Sequence, residues 1–192
     1  MNLQLALALA SGIGIAAASG LRAFLPLFAV GVAARLGWIP LHHGSEWLAS
    51  DPALWALGCA TVLEIVGDKI PVVDHALDAI GTVLRPAAAF LGGYAVLRGW
   101  GEPWAQIASI ALGAGAIAIH AAKAKTRLGS TAVSLGHANP ILSVLEDLTS
   151  VGLLVVAILA PLAVLVLVVL LVWLMVRFRR GSRSPAPTPP VG

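Results

Sequence analysis

Long apolar runs separated by short polar joints repeat along the whole chain. A hydrocarbon core of about 30 Å takes about 20 helical residues to cross, so the runs predict membrane helices. Seven segments can be drawn, at 3–18, 21–37, 53–67, 70–98, 103–122, 128–149 and 151–177. None shows the two-residue alternation of a barrel strand. Several are short or interrupted: Pro26 lies in the second, Pro71, Gly81 and Pro86 in the fourth, and Gly136 and Pro140 break the sixth at GHANP. Irregular backbone at membrane depth survives only where protein or a water-filled cavity covers it, so re-entrant segments are expected. Five spans with two re-entrant hairpins are the alternative to seven.

Composition agrees with this pattern. Hydrophobic residues make up 59% and charged residues 11%, against about a quarter charged in soluble domains. The expectation is an all-α, polytopic integral membrane bundle with broken or re-entrant helices. One transmembrane domain is expected over 1–180, followed by a Pro-rich, disordered cytoplasmic tail at 181–192. The first run has no basic residues ahead of it and is read as a membrane segment rather than a signal peptide. Cys59 is the only cysteine, which excludes an intrachain disulfide. It is expected to act as a small buried hydrophobe.

Charge then sets the threading, because cytoplasmic ends are rich in Lys and Arg. With the amino end outside and segments alternating, the inner side receives Arg22, Lys69, Lys123, Lys125, Arg127 and the tail arginines 177, 179, 180 and 183. The outer side receives only Arg35 and Arg98 among basic residues, and Arg85 falls in mid-segment. Trp38, Trp47, Trp55, Trp100 and Trp104 all fall at outer ends, where indoles favour the interface. The expected arrangement is therefore multiple membrane passes with a cytoplasmic carboxyl end. Net charge is +3, but no basic stripe with interleaved aromatics suggests nucleic acid.

Two stretches repeat. GIGIAAASGLRA (12–23) aligns with GAGAIAIHAAKA (113–124), which puts Gly12 on Gly113, Gly14 on Gly115 and Arg22 on Lys123. IPVVDHALDAIGTVL (70–84) aligns with NPILSVLEDLTSVGL (139–153), which puts Pro71 on Pro140 and Asp78 on Asp147. An internal duplication is expected, a build common among transporters, whose sites lie where the halves meet. The glycines, set among alanines, are expected to let helices approach closely.

The candidate chemistry centres on EIVGDKIPVVDHALD (64–78). A charge at the bilayer centre costs about 2.5 to 3.5 kcal/mol, so a group of charges needs partners or water. Glu64, Asp68, Asp74, His75, Asp78 and Asp147 are candidates for an ion-binding or transport site. Arg22, Lys69, Arg85 and Lys123 are their expected charge partners. Glu64 and Asp68 are four apart, as are Asp74 and Asp78, so each pair shares a helical face and calls for a cation or a basic side chain between its members. His120 is a further relay candidate beside His75.

Three readings remain open. One is passage of an ion or small polar solute along these residues. Another is a non-transporting scaffold or lipid-interacting protein, in which the same charges, with Arg127 and Glu146, pair only structurally. The third is an intramembrane enzyme on a lipid-linked substrate. No GxSxG, HExxH or P-loop occurs, so no enzyme and no cofactor are expected, and the metal question stays open. Ser130, Ser134 and His137 offer only a weak catalytic set, because serine hydroxyls in apolar helices bond back to carbonyls. His42 and His43 are read as a solvated loop without metal-ligand spacing. The apolar run at 151–177 is read as the most lipid-exposed element.

The stretches SGLRAFLPLFAVGVAARLG, TVLEIVGDKIPVVDHALDAIGTVLRPAAAFL and GHANPILSVLEDLTSVGLL together resemble the small bacterial membrane proteins grouped as domain of unknown function 4126. The likeness covers about residues 10–165, and DKIPVVDHxLD is its most specific part. It implies a multi-pass α-helical membrane protein and supplies no catalytic residues. The expected partners are the lipid bilayer, the transported ion or small solute, and further copies of the chain, since one unit this small encloses little interior volume.

Overall fold

The computed structural model describes residues 2–97, 99–134 and 138–161, together with 163, 164, 166, 170, 173 and 177; for Pro71, Val72, Asp74, His75, Thr131 and Ala132 it describes the backbone alone. The expected tail at 181–192 lies outside the described residues.

Among the described residues there are six α-helices, one short 3-10 turn and no strand. They are α1 (Leu3–Leu21), α2 (Phe24–Arg35), α3 (Asp51–Gly67), α4 (Pro71–Val96), α5 (Trp104–Ser134) and α6 (Asn139–Leu159), with the 3-10 turn at Glu46–Ala49. Windows within α1, α4, α5 and α6 are long and apolar enough to cross a membrane. The fold is an all-α, polytopic membrane bundle. With 12 residues, α2 is only about 18 Å long, and α3 has 17 residues. Among the described residues there are thus four full-length helices and two shorter ones, and much of the expected seventh segment at 151–177 lies outside the described residues.

Two boundaries differ from the sequence expectation. Pro71, Gly81 and Pro86 do not break the fourth segment, because Pro71 sits in the first turn of α4 and the helix runs on through Pro86. Pro140 likewise opens α6 instead of interrupting a helix. Proline is preorganised for a first turn, where its missing N–H is not needed. α5 runs to Ser134, so Lys123, Lys125 and Arg127 are carried on a helix rather than in a joint.

α1 is the central strut. Ile15, Leu27, Val30, Leu154 and Ala157 form one buried cluster with contributions from α1, α2 and α6. Ala16, Ala89, Leu112 and Ala116 join α1, α4 and α5 in a second. Small residues make these approaches possible. A methyl on Gly14 would lie 2.6 Å from the Ala157 Cβ, one on Gly12 3.0 Å from Leu112 Cδ1, and one on Gly113 3.1 Å from the Pro86 carbonyl oxygen. Gly115 differs from the expectation, since it faces open space. Cys59 also differs: it is exposed, on the wall of an apolar groove between α2 and α3 that includes Phe28, Trp55 and Val62.

The helices alternate in direction and so give the bundle two distinct ends. At one end the His42 amide donates to the Ala95 carbonyl at 2.6 Å, and Trp100 Nε1 donates to the Leu5 carbonyl at 3.2 Å. Trp38, Trp47, Trp55 and Trp104 are exposed. The opposite end holds the link at Arg22, the turn after α3 and the start of α6.

Candidate functional site

α1 stops at Leu21 because Arg22 is extended (φ −136°, ψ 129°). That bend turns a fully buried guanidinium into the bundle. The short turn after α3 brings in Asp68, α4 contributes Asp78 and Arg85, α5 contributes His120, Lys123 and Arg127, and α6 contributes Ser143, Glu146 and Asp147.

Asp68 is the hub. Its Oδ2 lies 2.5 Å from Arg22 Nη1, 2.9 Å from Arg127 Nη2 and 3.6 Å from Lys123 Nζ. Burial alone would raise its carboxyl pKa, but Lys123, Arg22 and Arg127 outweigh burial and hold it below the ordinary value of 3.8. The other Arg22 nitrogen, Nη2, lies 2.5 Å from Asp147 Oδ1 and donates to the Ser143 hydroxyl at 3.1 Å. Lys69 reaches Asp147 Oδ2 at 3.3 Å and the Ile65 carbonyl at 2.9 Å from a more exposed position.

Lys123 sits among oxygens: Glu146 Oε2 at 3.2 Å, the Leu21 carbonyl at 3.3 Å, Asp68 at 3.6 Å and Asp78 Oδ1 at 3.8 Å. Arg127 holds both Glu146 carboxylate oxygens through one edge of its guanidinium, Nη2 donating to Oε2 at 2.6 Å and Nε to Oε1 at 3.2 Å. Arg85 lies over Gly81 of its own helix, reaches Asp78 at 3.2 Å and contacts His120 Nδ1. Thr82 Oγ1 lies 3.4 Å from His120 Nε2 and donates to the Asp78 carbonyl at 3.2 Å. A guanidinium has no lone pair to offer, so the His120 Nδ1 facing it is the unprotonated nitrogen and Nε2 carries the hydrogen.

The residues aligned by the sequence repeat meet crosswise. Arg22 contacts Asp147, and Lys123 approaches Asp78. The cluster therefore brings together Asp68, Asp78, Asp147, Arg22, Lys69, Arg85 and Lys123. Glu64 is set apart from it. Although buried, its two carboxylate oxygens accept the Ala23 amide at 2.8 Å and the Phe24 amide at 3.1 Å, which satisfies the free N–H groups that open α2. The side chains of Asp74 and His75 lie outside the described residues.

Arg127 and Glu146, which the charge count included only as structural ion-pair partners, belong to the cluster, as does Ser143, which the sequence reading did not single out. Glu146 precedes Asp147 directly, and Ser143 lies one turn before Asp147, so helical spacing was the available signal. Ser134 Oγ donates to the Ser130 carbonyl at 2.7 Å, the back-bonding expected of that stretch. Among the described residues no three His, Cys, Asp or Glu side chains are placed to hold a metal ion.

Polar capacity is left over inside the cluster. Arg22 Nε, Arg85 Nε and Asp68 Oδ1 are buried and make no hydrogen bond. Cavities lie elsewhere: one of about 580 Å³ beside Gln4, Ser11 and Trp38 at the tryptophan end, the apolar groove beside Cys59 of about 900 Å³, and one of about 260 Å³ between α2 and α6. None of the three is lined by a residue of the cluster.

No curated protein and no solved structure matches the chain. Residues 9–180 match the family model described as Domain of unknown function (DUF4126), a span that contains every residue of the charge cluster. The chain belongs to the DUF4126 family.

Proposed function

We propose that this protein moves an ion or small polar solute across a bacterial inner membrane, with the charge cluster as its site and the basic end of the bundle in the cytoplasm. The observation that carries this reading is the surplus of buried hydrogen-bonding capacity. A purely structural ion-pair network at low dielectric is penalised for every donor or acceptor left open, yet Arg22 Nε, Arg85 Nε and Asp68 Oδ1 are all open. The crosswise contacts of Arg22 with Asp147 and of Lys123 with Asp78 add support. They fit a duplicated unit whose halves meet at the site, as in many transporters. Assembly into a small oligomer belongs to the same proposal.

The test is flux into proteoliposomes across a panel of cations, anions and protons, comparing the parent with Asp68→Asn and Asp78→Asn. Flux in the parent that both variants lose, with folded protein retained, is the expected result. A second reading is favoured by the three cations gathered on Asp68. It makes the cluster a scaffold that pins the turns of α1 and α3, and it is the outcome if no solute moves and Asp68→Asn only lowers the melting temperature.

A further inference from the structure

Four buried or half-buried carboxylates, Asp68, Asp78, Glu146 and Asp147, face four buried cations, Arg22, Arg85, Lys123 and Arg127. Lys69 stands more exposed at the edge, and Glu64 is committed to the amides of α2. Among the described side chains the inner set is thus balanced, and its four cations are not alike. A guanidinium holds its proton at any physiological pH, whereas a buried lysine can release one. Lys123 is the only one of the four whose charge can be withdrawn.

The surroundings of Lys123 resemble a coordination shell. Three carboxylate oxygens, from Asp68, Asp78 and Glu146, and the carbonyl of Leu21 lie between 3.2 and 3.8 Å from Nζ. Leu21 is the last residue of α1, where the helix dipole presents its negative end and the chain has just unwound. Broken helices place carbonyls in the same way around cations in transporters. An independent sign of unused capacity is Asp68 Oδ1, on a side chain with no solvent exposure, which accepts no hydrogen bond.

We infer that Lys123 carries an exchangeable proton and that a monovalent cation takes the place of its ammonium among Asp68, Asp78, Glu146 and the Leu21 carbonyl. The step balances: Lys123 loses H⁺ and becomes a neutral amine, one M⁺ enters, and the charge of the cluster is unchanged. The proton leaves past Asp78, Glu146 and Asp147, whose side chains are 24%, 14% and 18% exposed. Three of the groups facing Lys123, namely Arg22, Arg85 and Arg127, stay charged throughout, and His120 is already neutral toward Arg85. A divalent ion would leave one charge in excess. Lys123 Nζ occupies the space between these carboxylates, and among the described residues no three of them are placed to hold a metal ion as they stand. The equivalent position in the other half of the repeat is Arg22, which keeps its charge, so one half is fixed and the other titrates.

This inference rests on the transport reading and is tested separately from it. Proteoliposomes holding a pH-sensitive dye receive inward gradients of Na⁺, K⁺ or Li⁺ in turn, with the membrane potential clamped at zero. At least one gradient should drive protons out of the lumen, and Lys123→Arg should slow that movement at least tenfold with its melting temperature unchanged. As a readout on the parent protein, adding the effective cation to purified protein in unbuffered detergent should release about one proton per chain. Equal proton movement by Lys123→Arg and the parent overturns the inference. So does solute flux in the parent with no proton movement, which leaves the transport reading standing. Absence of any flux defeats both.

Discussion

Glu64 and Ala23 are 41 residues apart, yet the Glu64 carboxylate accepts the Ala23 amide at 2.8 Å from across the α2–α3 pair. Its second oxygen takes the next amide, of Phe24, at 3.1 Å. An acidic group here both closes open N–H donors and meets the positive end of the α2 dipole. Glu64→Ala should lower stability in detergent by about 2 kcal/mol, within the range for charged hydrogen bonds and helix caps. Glu64→Gln should recover a good part of that loss. Thermal unfolding of the three proteins checks this, and flux per folded molecule should be unchanged in Glu64→Gln.

Gly31 packs under the 3-10 turn. A methyl there would lie 2.4 Å from the Leu48 carbonyl oxygen and 2.9 Å from Leu54 Cδ2. Backbone cannot yield as a side-chain tip can, so Gly31→Ala should destabilise by about 1 to 3 kcal/mol through overpacking. Gly115→Ala provides the contrast. Nothing lies within 4 Å of its added carbon, and replacing a mid-helix glycine should raise stability by about 0.5 to 1 kcal/mol. Melting temperatures measured side by side decide both.

The low pKa of Asp68 links stability to pH with a definite sign. A carboxyl whose folded value lies below its unfolded value contributes stability above the unfolded pKa, and that contribution disappears as pH falls through the folded value. For Asp68 the contribution should be complete above the ordinary 3.8 and be lost at more acid pH. Asp68→Asn removes it at every pH and leaves Arg22 and Arg127 facing a neutral amide, at a cost of about 3 kcal/mol. Plots of melting temperature against pH should therefore converge for parent and variant below pH 3.8 and separate above it.

Cys59 allows the lipid-facing side to be mapped without engineering, because the chain has no other cysteine. Its groove is walled by Phe28, Trp55 and Val62, and Trp55 is 76% exposed. In intact vesicles Cys59 should react with an apolar maleimide and resist a charged sulfonate reagent. Equal reaction with both would place α3 in water.

Much of this arrangement is legible from residue order alone. Hydropathy located α1, α3 and the bulk of α4, since length and apolar content fix which segments can cross a bilayer. That Arg22 and Asp147 each need a charged partner follows from the cost of charge at low dielectric, but equal counts of acids and bases do not say that they meet each other. Proline misled where position within a helix decides its effect. Pro71 and Pro140 begin helices, and Pro86 is carried inside a well-packed one. Glu64 misled for a related reason, because a carboxylate in an apolar stretch can be spent on backbone amides as readily as on a cation, and only the fold of α2 against α3 tells the two apart. Cys59 was misplaced because a membrane helix can turn a small hydrophobe toward lipid at no penalty.

The link at Arg22 has a consequence for biosynthesis. Ser143 lies 121 residues beyond Arg22, and Asp147 follows it. At about 5 to 20 residues per second, the ribosome delivers Arg22 on the order of ten seconds before its α6 partners exist. Asp68 arrives earlier and can hold the guanidinium in the interim. A chain truncated before α6 therefore leaves the buried Arg22 guanidinium without Ser143 and Asp147, and completion of α6 supplies them.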